Sequence, residues 1–255
     1  MLRPRVIPCL LVHKGGIVKT VRFADPRYVG DPLNAVRIFN EKQVDELIVL
    51  DIDASVDTRE PDYQLIAHLA SECRMPLCYG GGVKRVDQVE RIIELGVEKV
   101  ALSSAALETP DIVSQMAAAA GSQSIVAVLD VRGTGTRAEI WTHNGTRRTG
   151  QALVPWARRM QGAGAGEIVV NAIDRDGTMT GYDLDLMASV RAAVTLPLTA
   201  LGGAGSLDDI RRLIGTFGII GAAAGSLFVF KGPYRAVLIN YPKPAAKDAI
   251  VLNPA

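Results

Sequence analysis

Two glycine-rich turns stand where a backbone could take hold of phosphate. Gly80-Gly81-Gly82 follows the apolar run Pro76–Tyr79, and Gly202-Gly203 follows Pro197–Leu201. The next apolar run after each closes on Ser103-Ser104 and on Gly225-Ser226. Glycine lets a backbone approach an anion closely, and amides at the start of a helix bind phosphate without side-chain charge. Two such turns would suit a long substrate with a phosphate at each end, although the same glycines could serve only to turn the chain. Carboxylates come next. Asp51 ends the run Glu46–Asp51, Asp130 follows Ser124–Leu129, and Asp174 and Asp176 lie in Asp174-Arg175-Asp176-Gly177-Thr178 after Glu167–Asn171. An acid at the end of a buried strand can do general acid–base work. Asp130 is the better candidate, because Val126-Ala127-Val128-Leu129 ahead of it leaves little local need for a charge; Asp174 reads equally as a turn cap.

The elements that must position these residues come in duplicate. Glu46-Leu47-Ile48-Val49 reappears as Glu167-Ile168-Val169-Val170, Pro76-Leu77 as Pro197-Leu198, and Ser104 as Ser226, at offsets of 121, 121 and 122 residues. Strands are expected at Val6–Leu10, Glu46–Asp51, Pro76–Tyr79, Val97–Leu102, Ser124–Leu129, Glu167–Asn171, Pro197–Leu201 and Gly218–Ala223. Helices are expected near 31–43, 61–73, 85–95, 110–120, 151–162, 183–194, 206–215 and 227–241, with Asp31-Pro32 and Ser206 as helix starts. Strands that are apolar on both faces and alternate with helices specify a parallel sheet. Eight such units without a linker predict one closed (β/α)8 barrel of class α/β, the TIM barrel, with half-barrels of 1–122 and 123–241 and a tail over 242–255 that packs loosely or frays. One segment breaks the rhythm: Arg132–Gly150 is too long for a βα loop, and its Asn144-Gly145 predicts a β-hairpin inserted after strand five.

Charges also mark the other end of the barrel. Arg5, Glu46, Lys99 and Glu167 stand at or just before the starts of strands one, two, four and six. They could close a salt-bridge ring, or they could be a stabilising plug or solvated strand ends. The 255 residues carry a formal charge of +1, so no broad field invites nucleic acid or an anionic membrane. Cys9, Cys73 and Cys78 lack metal spacing and read as free thiols of a reducing cytosol, and His13, His68 and His143 form no ligand set. No apolar stretch approaches the ~20 residues of a membrane span, and no signal peptide opens the chain. A cytoplasmic protein without metal or cofactor is expected.

With these residues in view, the chain resembles the cyclase subunit family of imidazole glycerol phosphate synthase. The resemblance rests on Ile7-Pro8-Cys9-Leu10, Gly80-Gly81-Gly82, Asp174-Arg175-Asp176-Gly177-Thr178, Gly181-Tyr182-Asp183 and Gly202-Gly203-Ala204-Gly205. It implies a half-barrel repeat and a glutaminase subunit docked at the bottom of the barrel, whose ammonia travels up to the substrate. It implies that Arg5, Glu46, Lys99 and Glu167 are the gate of that tunnel, and that Lys19 belongs to a flexible first loop. Lys19, Asp51, Gly81, Gly82, Ser103, Ser104, Asn171, Asp176, Gly177, Gly202, Gly203, Gly225 and Ser226 become the expected substrate- and phosphate-binding set, with Asp130 catalytic.

The top of the barrel departs from that pattern. Leu11 stands where the family has an aspartate that acts as acid or base beside the one matched by Asp130. Ser103 stands for an asparagine, Asn171 for a threonine and Leu201 for a serine. Leucine moves no proton, and losing such a group typically costs ~10²–10⁴-fold in rate. Similar proteins with leucine at this place are associated with systems that convert the acetamido group of a nucleotide-linked sugar to acetamidino for surface polysaccharide. The resemblance thus implies kept ammonia plumbing with changed chemistry, the barrel passing ammonia to, or through, a third amidotransfer component as a further partner. The alternatives are the histidine-pathway cyclase itself, making imidazole glycerol phosphate and AICAR from a bisphosphate, and a non-catalytic ammonia conduit.

Overall fold

The computed structural model describes residues 3–252. Eight parallel strands close on themselves: β1 (Arg5–His13), β2 (Leu47–Asp51), β3 (Leu77–Gly80), β4 (Lys99–Leu102), β5 (Ile125–Arg132), β6 (Glu167–Ala172), β7 (Leu198–Leu201) and β8 (Gly221–Ala224). Closure is made by β8 against β1, with Gly221 opposite Arg5, and every neighbouring barrel pair runs parallel. The chain is therefore a single (β/α)8 barrel. Alternation along each strand divides the buried side chains into two layers. Val6, Leu10 and Val12 face the helices, whereas Ile7, Cys9 and Leu11 face the bore with Ile48, Leu50, Cys78, Val126, Val128, Val169 and Leu201.

The outer helices α1 (Pro32–Glu41), α2 (Tyr63–Glu72), α3 (Val86–Glu94), α4 (Ser104–Glu108), α5 (Asp111–Ala120), α6 (Leu153–Gly162), α7 (Leu184–Arg191) and α8 (Leu207–Phe217) present apolar stripes to this sheet. Their starts follow local chemistry. Asp31 accepts from the Asn34 amide at 2.9 Å with Pro32 in the first turn, and Ser206 and Asp209 form a reciprocal capping box.

The end of the chain differs from its expected form. No helix covers 227–241. A short α9 (Ser226–Val229) gives way to a hairpin of Phe230–Lys231 with Ala236–Val237, and the long helix of the eighth βα unit is α10 (Pro244–Leu252). Gly232-Pro233 and Pro242 break the expected helix, and Pro244 opens the real one, where a missing amide costs nothing. Nor is the described tail loose: Ile250 is buried, Lys247 Nζ reaches Asp45 at 2.6 Å, and the Tyr241 hydroxyl donates to the Val6 carbonyl at 2.8 Å. Residues 253–255 lie outside the described chain.

Two hairpins rise from the top of the barrel, one per half. Glu139–Thr142 and Arg147–Ala152 extend the end of β5, with Asp130 opposite Trp141. Gly16–Val21 and Ala24–Gly30 extend the end of β1 in the same way, with Leu11 opposite Val18. The hairpin after β1, the first hairpin in the chain, is read as a flexible loop from the sequence and is instead paired; the hairpin after β5 stands where the sequence predicts one.

Candidate functional site

At the bottom of the bore the four charged residues meet. Arg5 Nη2 lies 2.7 Å from Glu167 Oε1, Arg5 Nη1 also pairs with Glu46, and Lys99 Nζ lies 2.9 Å from both Glu46 Oε1 and Glu167 Oε2. Two cations and two carboxylates therefore form a closed, neutral ring. Burial alone would push Glu167 up, but Arg5 and Lys99 outweigh it and hold its carboxyl below the ordinary range. Burial would likewise lower Lys99, and Glu167 and Glu46 reverse it. A fifth member was not legible in the sequence: Thr199, wholly buried, donates its hydroxyl to Glu167 Oε1 at 2.5 Å. Its neighbour in register, Gly221, leaves the space that Thr199 fills.

Above the ring the bore is apolar up to Leu11, Leu50 and Leu201. Polar groups return only at its upper rim. Asp130 Oδ1 accepts from Asn171 Nδ2 at 2.8 Å, and its Oδ2 accepts from the Ser103 hydroxyl at 3.1 Å. Burial pushes the Asp130 carboxyl from 3.8 to about 6, even against these two donors. Asn171 is 5% exposed, and its Oδ1 has no hydrogen-bond partner among the described residues.

The strand register explains the one-sidedness of this rim. Leu11 lies opposite Leu50 on β1 and β2 as Asp130 lies opposite Asn171 on β5 and β6. Related places in the two halves thus carry an apolar pair and a polar pair.

A cleft opens over the first half, with an empty volume of ≈ 880 Å³ counting its open mouth. Gly81, Gly82, Ser103, Ser104, Asp51, Asp130, Asn171 and Leu11 all line it. Gly81 has φ +129, and a Cβ there would stand 2.5 Å from the Asp51 carbonyl, so this turn requires glycine. Asp51 shapes the neighbouring loop: its Oδ1 accepts from the amides of Asp53 at 2.9 Å and Ala54 at 3.1 Å, while burial pushes its carboxyl up. The tip of the hairpin after β5 adds His143 and Asn144, and Asn144 Nδ2 donates across the mouth to the Ile52 carbonyl at 2.7 Å.

The second glycine set is arranged differently. None of Gly177, Gly202, Gly203, Gly225 and Ser226 lines that cleft. Lys19 lies against Gly225, 5% exposed, with its ammonium donating to the Cys9 carbonyl, and burial lowers its pKa. Asp176 is turned to the first hairpin: its Oδ2 accepts from the Thr20 hydroxyl at 2.7 Å and the Phe23 amide at 3.3 Å. Asp174 ties the other hairpin through the Gly133 amide at 2.8 Å. Both acids after β6 thus anchor the two hairpins. Among the described residues no cluster of three or more His, Cys, Asp or Glu side chains could hold a metal, and no helix is long and apolar enough to cross a membrane.

Comparison with known proteins places this geometry. Residues 5–234 match the family described as histidine biosynthesis protein. A Leptospira borgpetersenii protein provisionally named imidazole glycerol phosphate synthase subunit HisF is 55% identical over 98% of this chain and 99% of its own length. A Vibrio vulnificus protein provisionally named as the subunit hisF3 is 57% identical over 97% and 96%. A Hyphomonas neptunium protein named imidazole glycerol phosphate synthase subunit HisF is 42% identical over 90% and 91%.

Proposed function

Because the chain belongs to the histidine biosynthesis protein family, among proteins named as imidazole glycerol phosphate synthase subunits, we propose that it is the ammonia-using subunit of a glutamine-dependent amidotransferase, retasked from cyclisation. A glutaminase of the HisH type docks at the bottom of the barrel and releases ammonia at the ring of Arg5, Glu46, Lys99 and Glu167. An apolar bore carries neutral ammonia and rejects ammonium, whose charge it would have to desolvate. At the top, the buried Oδ1 of Asn171 and the Asp130 carboxylate offer acceptors for its N–H groups. A nitrogen that adds to a carbonyl carbon must then shed a proton, and Asp130, near 6, is suited to take it at neutral pH.

The observation that carries the retasking is Leu11, which packs against the bore lining with Leu50 instead of facing Asp130 with a second carboxyl. Cyclisation that needs two proton-handling groups is left with one. The acceptor we favour is the acetamido group of a nucleotide-linked sugar, converted to acetamidino for surface polysaccharide. An amide oxygen leaves poorly, so a third component would activate it. The phosphorylated substrate sits over Gly81, Gly82, Ser103 and Ser104.

The histidine-pathway cyclisation remains the second reading, favoured by the names of the relatives. Ammonia-dependent turnover of that pathway's bisphosphate decides between them, measured with excess ammonium at high pH on the wild type and on Leu11→Asp. An inactive wild type and an active Leu11→Asp variant support retasking. Turnover by the wild type at an ordinary rate refutes it.

A further inference from the structure

The second glycine set is served by a cation that neither the repeat nor the fold requires. Arg235 stands in the turn of the C-terminal hairpin, at φ +50, and its Nη2 lies 3.3 Å from both the Gly177 carbonyl and the Ser226 hydroxyl. Its Nε is buried without a hydrogen-bond partner among the described residues. Its guanidinium also packs on Phe230, 4.9 Å from the ring centroid, and Arg27 of the first hairpin packs on the same ring at 5.1 Å. Beside them Lys19, buried against Gly225, donates to the Cys9 carbonyl. The acid that faces this group is Asp176, already engaged by Thr20 and Phe23. Two side-chain cations thus converge on a turn whose glycine backbone admits close approach, and Arg235 holds weak, long contacts that a stronger acceptor would displace.

We propose that Arg235 is a phosphate-binding residue of the second glycine site, exchanging the Gly177 carbonyl and Ser226 hydroxyl for the oxygens of a phosphate group. This rests on the reading that the glycine turns bind phosphate, and it makes the two ends of the substrate unequal. The first site offers glycine turns and the hydroxyls of Ser103 and Ser104 beside the carboxylate of Asp51. The second adds Arg235 and Lys19, which selects the more highly charged end, a phosphate monoester. The hairpin that carries Arg235 replaces the start of the eighth helix, so the residue is a property of this altered chain end and not of the repeat.

Inorganic phosphate titrated into the isotope-labelled chain, followed by amide NMR, reads each site separately. In the wild type the amides of Gly177 and Ser226 should shift with one affinity and those of Gly82 and Ser104 with another. Arg235→Gln should weaken the first titration by roughly tenfold or more and leave the second unchanged. Arg235→Lys should fall between them, since it keeps the charge and loses the fork. Wild-type affinity at Gly177 and Ser226 in Arg235→Gln overturns the proposal while leaving the phosphate reading intact. Failure of phosphate to move any of these amides in the wild type overturns both.

Discussion

Asp130 is expected to be a residue that the fold pays for. Replacing it with asparagine keeps the shape, lets Asn171 turn its amide to pair with the new side chain, and removes a buried charge. Asp130 titrates at 3.8 when unperturbed and at about 6 in the fold. A raised carboxyl contributes its stability fully below 3.8 and loses it as pH rises through 6, so the ionised form strains the fold at pH 8. At about 1.4 kcal/mol per pH unit the gap corresponds to ~3 kcal/mol. Asparagine also gives up the charge-assisted part of the Ser103 and Asn171 hydrogen bonds, but that is already counted in the net shift. Asp130→Asn should therefore be more stable than the wild type by ~2–3 kcal/mol at pH 8, with the gain largely gone by pH 4. Urea denaturation at pH 4, 6 and 8 measures this directly. An Asn variant no more stable at pH 8, or a gain independent of pH, would refute the claim that burial strains this carboxylate. Under the proposed function the same variant should lose its ammonia-dependent activity.

Glu167→Gln should cost ~3–5 kcal/mol near pH 7, because it leaves Arg5 and Lys99 to share Glu46 alone in a buried ring. Glu167 is held below its ordinary 4.5, so this penalty should be complete above 4.5 and shrink as pH falls through the folded-state value; denaturation at pH 3 and 7 checks it. Gly177→Ala should lower stability by ~2 kcal/mol or more, since φ is +67 and a Cβ would collide with the Thr20 carbonyl of the first hairpin; faster amide exchange across Gly16–Gly30 would confirm the mechanism. Leu11→Asp should be less stable at pH 8 than at pH 5 by ~2–4 kcal/mol, because the introduced carboxylate meets Leu50 and the apolar bore; equal stability at both values would mean that water reaches that place.

The barrel was legible in the sequence because each central strand is apolar on both faces, which specifies a parallel sheet covered on both sides, and because eight such units follow one another without a linker. The ring residues were visible as charges at strand starts, but solvated strand ends or a plug explained them equally well, and only the family resemblance singled out a ring. The first hairpin was not. Its turn places Arg22, Phe23 and Asp25 at positive φ without any glycine, so the usual turn signal is missing. The eighth helix was misplaced because Leu227–Tyr241 is apolar enough to suggest one, while Gly232-Pro233 and Pro242 decide otherwise. Thr199 and Arg235 carried no local signal at all. Each gains its role from partners far away in the chain, Glu167 for one and Gly177 with Ser226 for the other.

The two halves share a scaffold and divide the work. Register equates Leu11 and Leu50 with Asp130 and Asn171, and both pairs sit at the upper end of the same bore. Had both halves carried carboxylates here, the ammonia of the proposed function would meet two proton acceptors at once, and each carboxylate would raise the other's pKa. With Leu11 and Leu50 in place, the apolar surface runs unbroken up one wall to the cleft, and polarity is confined to the other. Under the proposed function, ammonia would stay neutral until it reaches the side that carries Asp130. The same asymmetry recurs above, where the first half leaves an open cleft and the second fills its glycine turn with Lys19 and Arg235. If Arg235 binds phosphate as proposed, a substrate that spans this mouth would bind in one orientation, its more charged end over the second half. That orientation is fixed by the side chains on which the two halves differ, and the backbone they share only supplies the places.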